Sequence, residues 1–196
     1  NLEKVTKALR LIDFKGLNIT IPHKQGVIKA CKKLTLTASS IQAVNTLIPE
    51  ENNQWTGANT DVEGFLMPLK NKNLINKNIV VIGCGGSARA VVMGLNSLKV
   101  KKITILGRNE HSLDIFVKNM RKILSKNNIL IEGINNKKVN VTSYVQEADL
   151  IVNTTPIGMN SIKIDKEEYP LGHKIWENLS SKTILYDLIY TPRPTN

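Results

Sequence analysis

Apolar and polar residues alternate in "GLNITIPHK" (residues 16–24), where Leu17, Ile19 and Ile21 interleave with Asn18 and Thr20. A period of two predicts a strand over 16–21, with Asn18 and Thr20 about 7 Å apart on one face and the three apolar side chains in a core. Ahead of it, Leu2, Val5, Leu9 and Ile12 recur at helical spacing and predict an amphipathic helix. Behind it, Pro22 suits a helix start, so a helix is predicted over 24–34 with Lys24 in its first turn. "AVNTLIP" and "QWTGANTD" then read as a hairpin around the polar turn 50–53. Such pairing sets Asn45 opposite Ala58 or Asn59 and gathers Asn45, Asn59 and Asp61 at one end. Asp61 equally suits the N-cap of the helix that "VEGFLM" begins.

The grammar changes after "LKNKNLINKN" (residues 69–78), a run that is polar apart from its leucines and isoleucine. A domain boundary placed there gives residues 1–70 and 71–196. In the second part "NIVVIGCGGSARAVVMGL" is an apolar strand, then glycines, then a helix carrying Ala88, Val91, Val92, Leu95 and Leu98 on one face. "KITILGR" and a helix bearing Leu113, Phe116, Val117, Met120 and Leu124 follow, and short strands are expected around 129–134, 149–153 and 183–188. Strands alternating with helices argue for a parallel sheet covered on both faces. The fold class expected is therefore α/β, an N-terminal α/β domain followed by a doubly wound parallel sheet of Rossmann type.

"GCGGSA" (residues 83–88) keeps Gly83 and Gly85 of the dinucleotide spacing, adds Gly86 and puts Ala88 in the place of the third glycine. Gly83 allows the tight strand-to-helix turn, Gly85 and Gly86 let backbone amides approach a pyrophosphate, and the helix N-terminus favours its charge. A plain glycine turn without a ligand is the competing explanation. An NAD site usually carries an acid at the end of the second strand, whereas this chain has Gly107, Arg108 and Asn109 there. Arg108 suits a 2′-phosphate, which selects NADP over NAD; a solvated arginine followed by Glu110 is the alternative.

Composition narrows the picture. The chain has 196 residues, 41% hydrophobic and 22% charged, as in an ordinary globular protein. No apolar stretch is long enough to span a bilayer and no leader opens the chain, so a cytoplasmic protein without membrane association is expected. Cys31 and Cys84 show no metal-ligand spacing, so reduced thiols and no metal are expected. The net charge of +11 is mostly lysine spread along the chain, and only 5% of residues are aromatic. Nucleic-acid binding would favour arginine-rich stripes with interleaved aromatics, so no nucleic-acid partner is expected. An edge strand in the first part leaves a homodimer among the assemblies allowed. His23, His111 and His173 have no partner pattern, and no Ser-His-Asp arrangement is present to argue.

Taken together, "GLNITIPHK", "AVNTL", "GANTDVEGF", "VIGCGGSARAV", "NTTPIGM" and "YDLIYTPRPT" resemble the shikimate dehydrogenase family, in family order and across nearly the whole chain. The resemblance implies a substrate domain, an NADP-binding domain and the reversible reduction of 3-dehydroshikimate to shikimate, a small-molecule reaction on the route to chorismate and aromatic amino acids. Position by position it implies Lys24 as the catalytic lysine and Asp61 as its paired aspartate. It gives Asn18, Thr20, Asn45 and Tyr190 to the substrate, and Gly83, Gly85, Gly86, Arg108, Asn153 and Thr154 to the cofactor. The chain departs from the family in three ways: it lacks the early Ser-x-Ser segment, it stops before the glutamine-bearing segment and final helix, and "GRN" stands where Asn-Arg-Thr is usual. The opening inside a helix implies that a preceding piece is missing, so this chain is expected to be a fragment. A quinate-directed relative, a non-catalytic NADP sensor and a nucleic-acid binder are the competing readings. Retention of Lys24 with Asp61 speaks against the sensor, which has no need of that pair.

Overall fold

The computed structural model describes residues 2–158, 170–177 and 179–190. Met159 of "NTTPIGM" and residues 191–195 of "YDLIYTPRPT" lie outside them. The chain divides into two units, one of Asn1–Asn71 with Arg89–Gly94, the other of Lys72–Ala88 with Leu95–Asn196.

The first unit opens with α1 (Leu2–Leu11). Its buried stripe differs from the one expected: Val5 and Ile12 are exposed, and Thr6 is buried. A polar residue fits there because the Thr6 hydroxyl donates to the Leu2 carbonyl at 2.9 Å, while the Thr6 carbonyl accepts from Trp55 Nε1 at 2.9 Å. A mixed sheet follows, made of β1 (Leu17–Asn18), β2 (Lys33–Leu34), β3 (Thr46–Glu50) and β4 (Gln54–Ala58) in the order β1-β3-β4-β2. β1 and β4 run antiparallel to β3, and β2 runs parallel to β4.

The strand expected over 16–21 is thus only two residues long, and Ile21 is exposed rather than in the core. The helix expected over 24–34 is a 3-10 turn, Gly26–Ala30, followed by β2. Local periodicity cannot show β2, because its partner lies more than twenty residues on, with Lys33 opposite Thr56. Next comes α2 (Leu36–Ile41), which the Thr35 hydroxyl caps by accepting from the Ala38 amide at 3.3 Å. The hairpin forms as expected, with Thr46 opposite Ala58; Asn52 and Asn53, both at φ 56°, give the left-handed pair that a tight hairpin turn requires. The core gathers Val27, Ala38, Val44, Leu47 and Trp55. A Cβ at Gly57 would fall 2.7 Å from both Leu34 and Val44 and 2.8 Å from Cys31 Sγ, so only glycine lets β2 approach β4. α3 (Asp61–Leu66) closes the segment.

The second unit is a parallel sheet of β5 (Asn78–Ile82), β6 (Lys102–Gly107), β7 (Leu130–Asn135), β8 (Leu150–Asn153) and β9 (Ile184–Asp187). Its order, β7-β6-β5-β8-β9, places the first strand at the centre and reverses direction beside it, which is the doubly wound arrangement. β5 is buried from Ile79 to Ile82, as expected of a strand covered on both faces. α4 (Gly86–Ser97), whose stretch Arg89–Gly94 is counted with the first unit, buries Ala88, Val91, Val92 and Leu95. α5 (Glu110–Leu124) buries its whole expected stripe and lies so close to β7 that a Cβ at Gly133 would meet Leu113 at 2.8 Å. α6 (Thr142–Gln146) supplies Val145 to a cluster with Val80, Ile82 and Ile151, and the short α7 (His173–Trp176) adds Ile175 and Trp176 at its margin. Among the described residues no helix is long and apolar enough to cross a membrane.

Candidate active site

In the first unit the polar cluster is built on one end of the hairpin. The Val44 amide donates to the Lys24 carbonyl at 2.8 Å, so the backbone at Lys24 is tied to the approach to β3. Asp61 is the first residue of α3, whose N-cap is Thr60 without a side-chain capping bond. Its carboxylate therefore does not serve as the cap that the sequence allowed. Instead Oδ2 accepts from Lys24 Nζ at 2.8 Å and Oδ1 accepts from Asn45 Nδ2 at 2.8 Å. The Lys24 side chain is only 12% exposed and that of Asp61 30%, so the pair is shielded yet reachable from one side.

Asn45 is oriented by its other bonds. Its Oδ1 accepts from the Thr60 amide at 3.0 Å and from the Thr46 hydroxyl at 2.9 Å, which leaves Nδ2 to face the carboxylate. Asn59 supports the same corner: its Oδ1 accepts from the Asp61 amide at 3.0 Å and its Nδ2 donates to the Ala43 carbonyl at 3.2 Å. Thr46 and Thr60 were not singled out in the sequence. The hint available for Thr60 was its place between Asn59 and Asp61, which a chain turning into a helix brings back over Asn45. Asn18 stands opposite Thr46 in the sheet, and the Ile19 amide donates to the Asn45 carbonyl at 2.7 Å. Asn18 and Thr20 are exposed, and Thr20 lies past the end of β1 in the loop, where its carbonyl accepts from the His23 amide at 2.8 Å. His23 is exposed as well.

In the second unit the glycine loop joins β5 to α4. Gly83 has φ +105°, and a Cβ there would fall 2.6 Å from Thr154 Oγ1. Thr154 closes the turn by donating from its hydroxyl to the Ile82 carbonyl at 2.7 Å. Gly85 is the N-cap of the twelve-residue α4, offers no side chain to its amides, and faces open space where a Cβ would stand. Gly86 follows as the first helical residue. A helix N-terminus approached by bare backbone suits a pyrophosphate.

Asn153 and Thr154 are both 8% exposed and shape this loop through internal bonds. Asn153 Oδ1 accepts from the Thr155 amide at 3.0 Å, and its Nδ2 donates to Asp187 Oδ1 at 3.1 Å. Arg108 follows β6 directly and is exposed; it lines a groove of about 260 Å³ with Asn136, Lys137, Asn140, Val141 and Ile175. The Asn136 side chain stands on the wall of that groove, with its Oδ1 turned inward and buried. These features together fit a phosphorylated dinucleotide. Tyr190 lies three residues beyond β9 and is 70% exposed. Among the described residues no group of three or more His, Cys, Asp or Glu is placed to hold a metal ion.

Comparison with known proteins follows the same lines. Residues 1–47 match the family model described as the shikimate dehydrogenase substrate binding domain. All of the chain aligns with the shikimate dehydrogenase (NADP(+)) of Prochlorococcus marinus strain MIT 9515 at 49% identity, covering 66% of that protein. The enzyme of the same name from strain MIT 9215 is 44% identical, with 67% covered, and that from Nostoc sp. strain PCC 7120 is 39% identical, with 66% covered. The chain thus spans about two thirds of the length of these curated relatives. Among solved structures, a shikimate dehydrogenase in complex with NADP+ matches with a TM-score of 0.78 at 30% identity, over 100% of this chain and 64% of its own. Shikimate 5-dehydrogenase from Thermus thermophilus in complex with shikimate gives 0.73 at 26%, over 98% and 63%.

Proposed function

Because this chain belongs to the shikimate dehydrogenase family, we propose that its residues serve the reversible NADP-dependent reduction of 3-dehydroshikimate to shikimate, on the route to chorismate and aromatic amino acids. The observation that carries the proposal is the ion pair between Lys24 and Asp61, held at 2.8 Å with its second carboxylate oxygen fixed by Asn45. A chain that only bound the cofactor has no use for such a pair.

Oxidising a ring alcohol removes a proton from oxygen and a hydride from the same carbon. NADP+, when bound, supplies the hydride acceptor. The proton is the concern of this chain: Lys24 Nζ and Asp61 Oδ2, in reach of one hydroxyl, share the proton it gives up and return it when the carbonyl is reduced. Asp61 keeps the ammonium in place, and Asn45 keeps the carboxylate aimed. We assign Asn18, Thr20 and Asn45 to the polar groups of the substrate, with Tyr190 as a further contact. Gly83, Gly85 and Gly86 would hold the pyrophosphate at the start of α4, and Arg108 the 2′-phosphate. Asn153 and Thr154 act on the cofactor through the loop they shape. We place the reaction in the cytoplasm, a compartment that suits two cysteines, Cys31 and Cys84, that are not joined to each other.

The test is NADP+ reduction followed at the nicotinamide absorbance, with shikimate and quinate in parallel and NAD+ as the cofactor control. It is run on this chain and on one extended to the length of its relatives. Turnover specific to shikimate and NADP+ in either form supports the proposal. Binding of NADP+ with no turnover in both forms would replace it with a sensor.

A further inference from the structure

A carboxylate close to Arg108 in the chain carries a charge that works against the ligand proposed for the groove. Glu110 stands two residues after Arg108, in the first turn of α5, where its charge suits the helix N-terminus but opposes an incoming phosphate. β6 and β7 pair in register up to Gly107 opposite Asn135, and the Asn136 amide donates to the Gly107 carbonyl at 3.2 Å. The chain leaving β7 therefore stays beside the chain leaving β6. It then turns at once, because Asn135 Oδ1 accepts from the Lys137 amide at 3.0 Å and the Asn135 carbonyl from the Lys138 amide at 3.0 Å. That turn sets Lys137 on the groove wall and brings Lys138 Nζ into an ion pair with Glu110 Oε2. Both partners remain more than half exposed, and ion pairs of that kind contribute little to folding.

We infer that Lys138 is a selectivity residue for the phosphorylated dinucleotide: by neutralising Glu110 it preserves the positive field in which Arg108 and Lys137 receive a 2′-phosphate. The inference rests on the proposal that the loop after β6 receives this phosphate. Without Lys138, the carboxylate would do what an acid at this strand end does in NAD-binding sites, repelling the phosphate while tolerating a 2′-hydroxyl.

Calorimetric titration of this chain with NADP+ and with NAD+ tests the idea without any need for turnover. The variants are Lys138→Met, Glu110→Gln and the two combined, all at exposed positions where folding should persist, as circular dichroism would check. Uncovering one charge within about a Debye length of a dianionic phosphate should weaken NADP+ roughly threefold to tenfold at low salt and leave NAD+ nearly unchanged. The double variant should regain the lost NADP+ affinity, and the effect should fade at about 0.5 M salt. Equal loss for both nucleotides, or none for either, overturns the inference. Failure of the double variant to recover also overturns it, because Lys138 would then touch the phosphate itself. A parent chain that prefers NAD+ would instead overturn the proposed cofactor, a result distinguishable from the others before any variant is made.

Discussion

At the scale of single residues, two glycines of one loop differ in what a side chain would meet. Gly83 sits at φ +105° with Thr154 Oγ1 2.6 Å from where a Cβ would be, whereas the same test at Gly85 meets nothing within 4 Å. Gly83→Ala should therefore cost about 1–3 kcal/mol of stability, read as a fall in the denaturation midpoint. Gly85→Ala should melt within a few degrees of the parent and yet lose NADP+ affinity, because its methyl occupies the space before the α4 amides. Tight NADP+ binding by Gly85→Ala would remove that loop from the proposed site. Lys24 gives the corresponding prediction for chemistry. Lys24→Ala should lower kcat by about 10²–10⁴ with little change in melting temperature if, as proposed, proton transfer is its role. The sequence named Asn45, Asn59 and Asp61 because they gather at one end of a predictable hairpin, and Lys24 because it follows the first strand and matches the family motif. It did not name Thr46 or Thr60, whose importance lies in which atom of Asn45 they leave facing the carboxylate.

At the scale of elements, legibility followed the range of the interactions. The stripe of α5, the strands of the parallel sheet and the hairpin all declare themselves through neighbours close in sequence. β2 does not, because it depends on a parallel partner far along the chain and on the missing side chain at Gly57. Position 6 of α1 is likewise covered by a residue far along the chain, since Trp55 Nε1 donates to the Thr6 backbone carbonyl, while the Thr6 hydroxyl is satisfied within the helix by the Leu2 carbonyl. Another long-range tie carries a pH dependence. Asp149, at the start of β8, accepts from the Asn78 amide at 2.9 Å and pairs with Lys77 at 2.9 Å. Desolvation opposes its ionisation, but the amide and the ammonium outweigh that and hold the carboxyl below its ordinary value. A lowered carboxyl binds protons less readily folded than unfolded. Its stabilisation is thus present above the unfolded value and lost as pH falls through the folded one. Asp149→Asn should flatten the acid limb of a melting-temperature profile below about pH 4 while changing the neutral value less. An unchanged acid limb would show that the tie is not coupled to folding.

At the scale of the molecule, each of the two units has its own sheet and core, with the Lys24 pair in one and the glycine loop in the other. The proposed function makes turnover depend on both and nucleotide affinity on one. Under the proposed function, Lys24→Met should sharply lower shikimate oxidation while leaving the calorimetric affinity for NADP+ without substrate within about twofold, because Lys24 is not among the residues proposed to hold the nucleotide. A large loss of affinity would mean that the lysine contributes to holding the nucleotide. The net charge of +11 acts on the same scale, and it should make NADP+ association weaken as ionic strength rises.

The bond from Asn45 Nδ2 to Asp61 Oδ1, 2.8 Å long, makes the corner depend on the identity of one atom. Exchanging that nitrogen for oxygen, as hydrolysis of the amide would do, turns donor into acceptor and sets two carboxylates face to face. Like charges at that separation repel, and the Lys24 ammonium would then be shared between two carboxylates instead of held by one. An amide that bears no charge thus leaves Asp61 to Lys24 alone, and ageing of this one side chain would be felt as a change in charge balance before any change in shape.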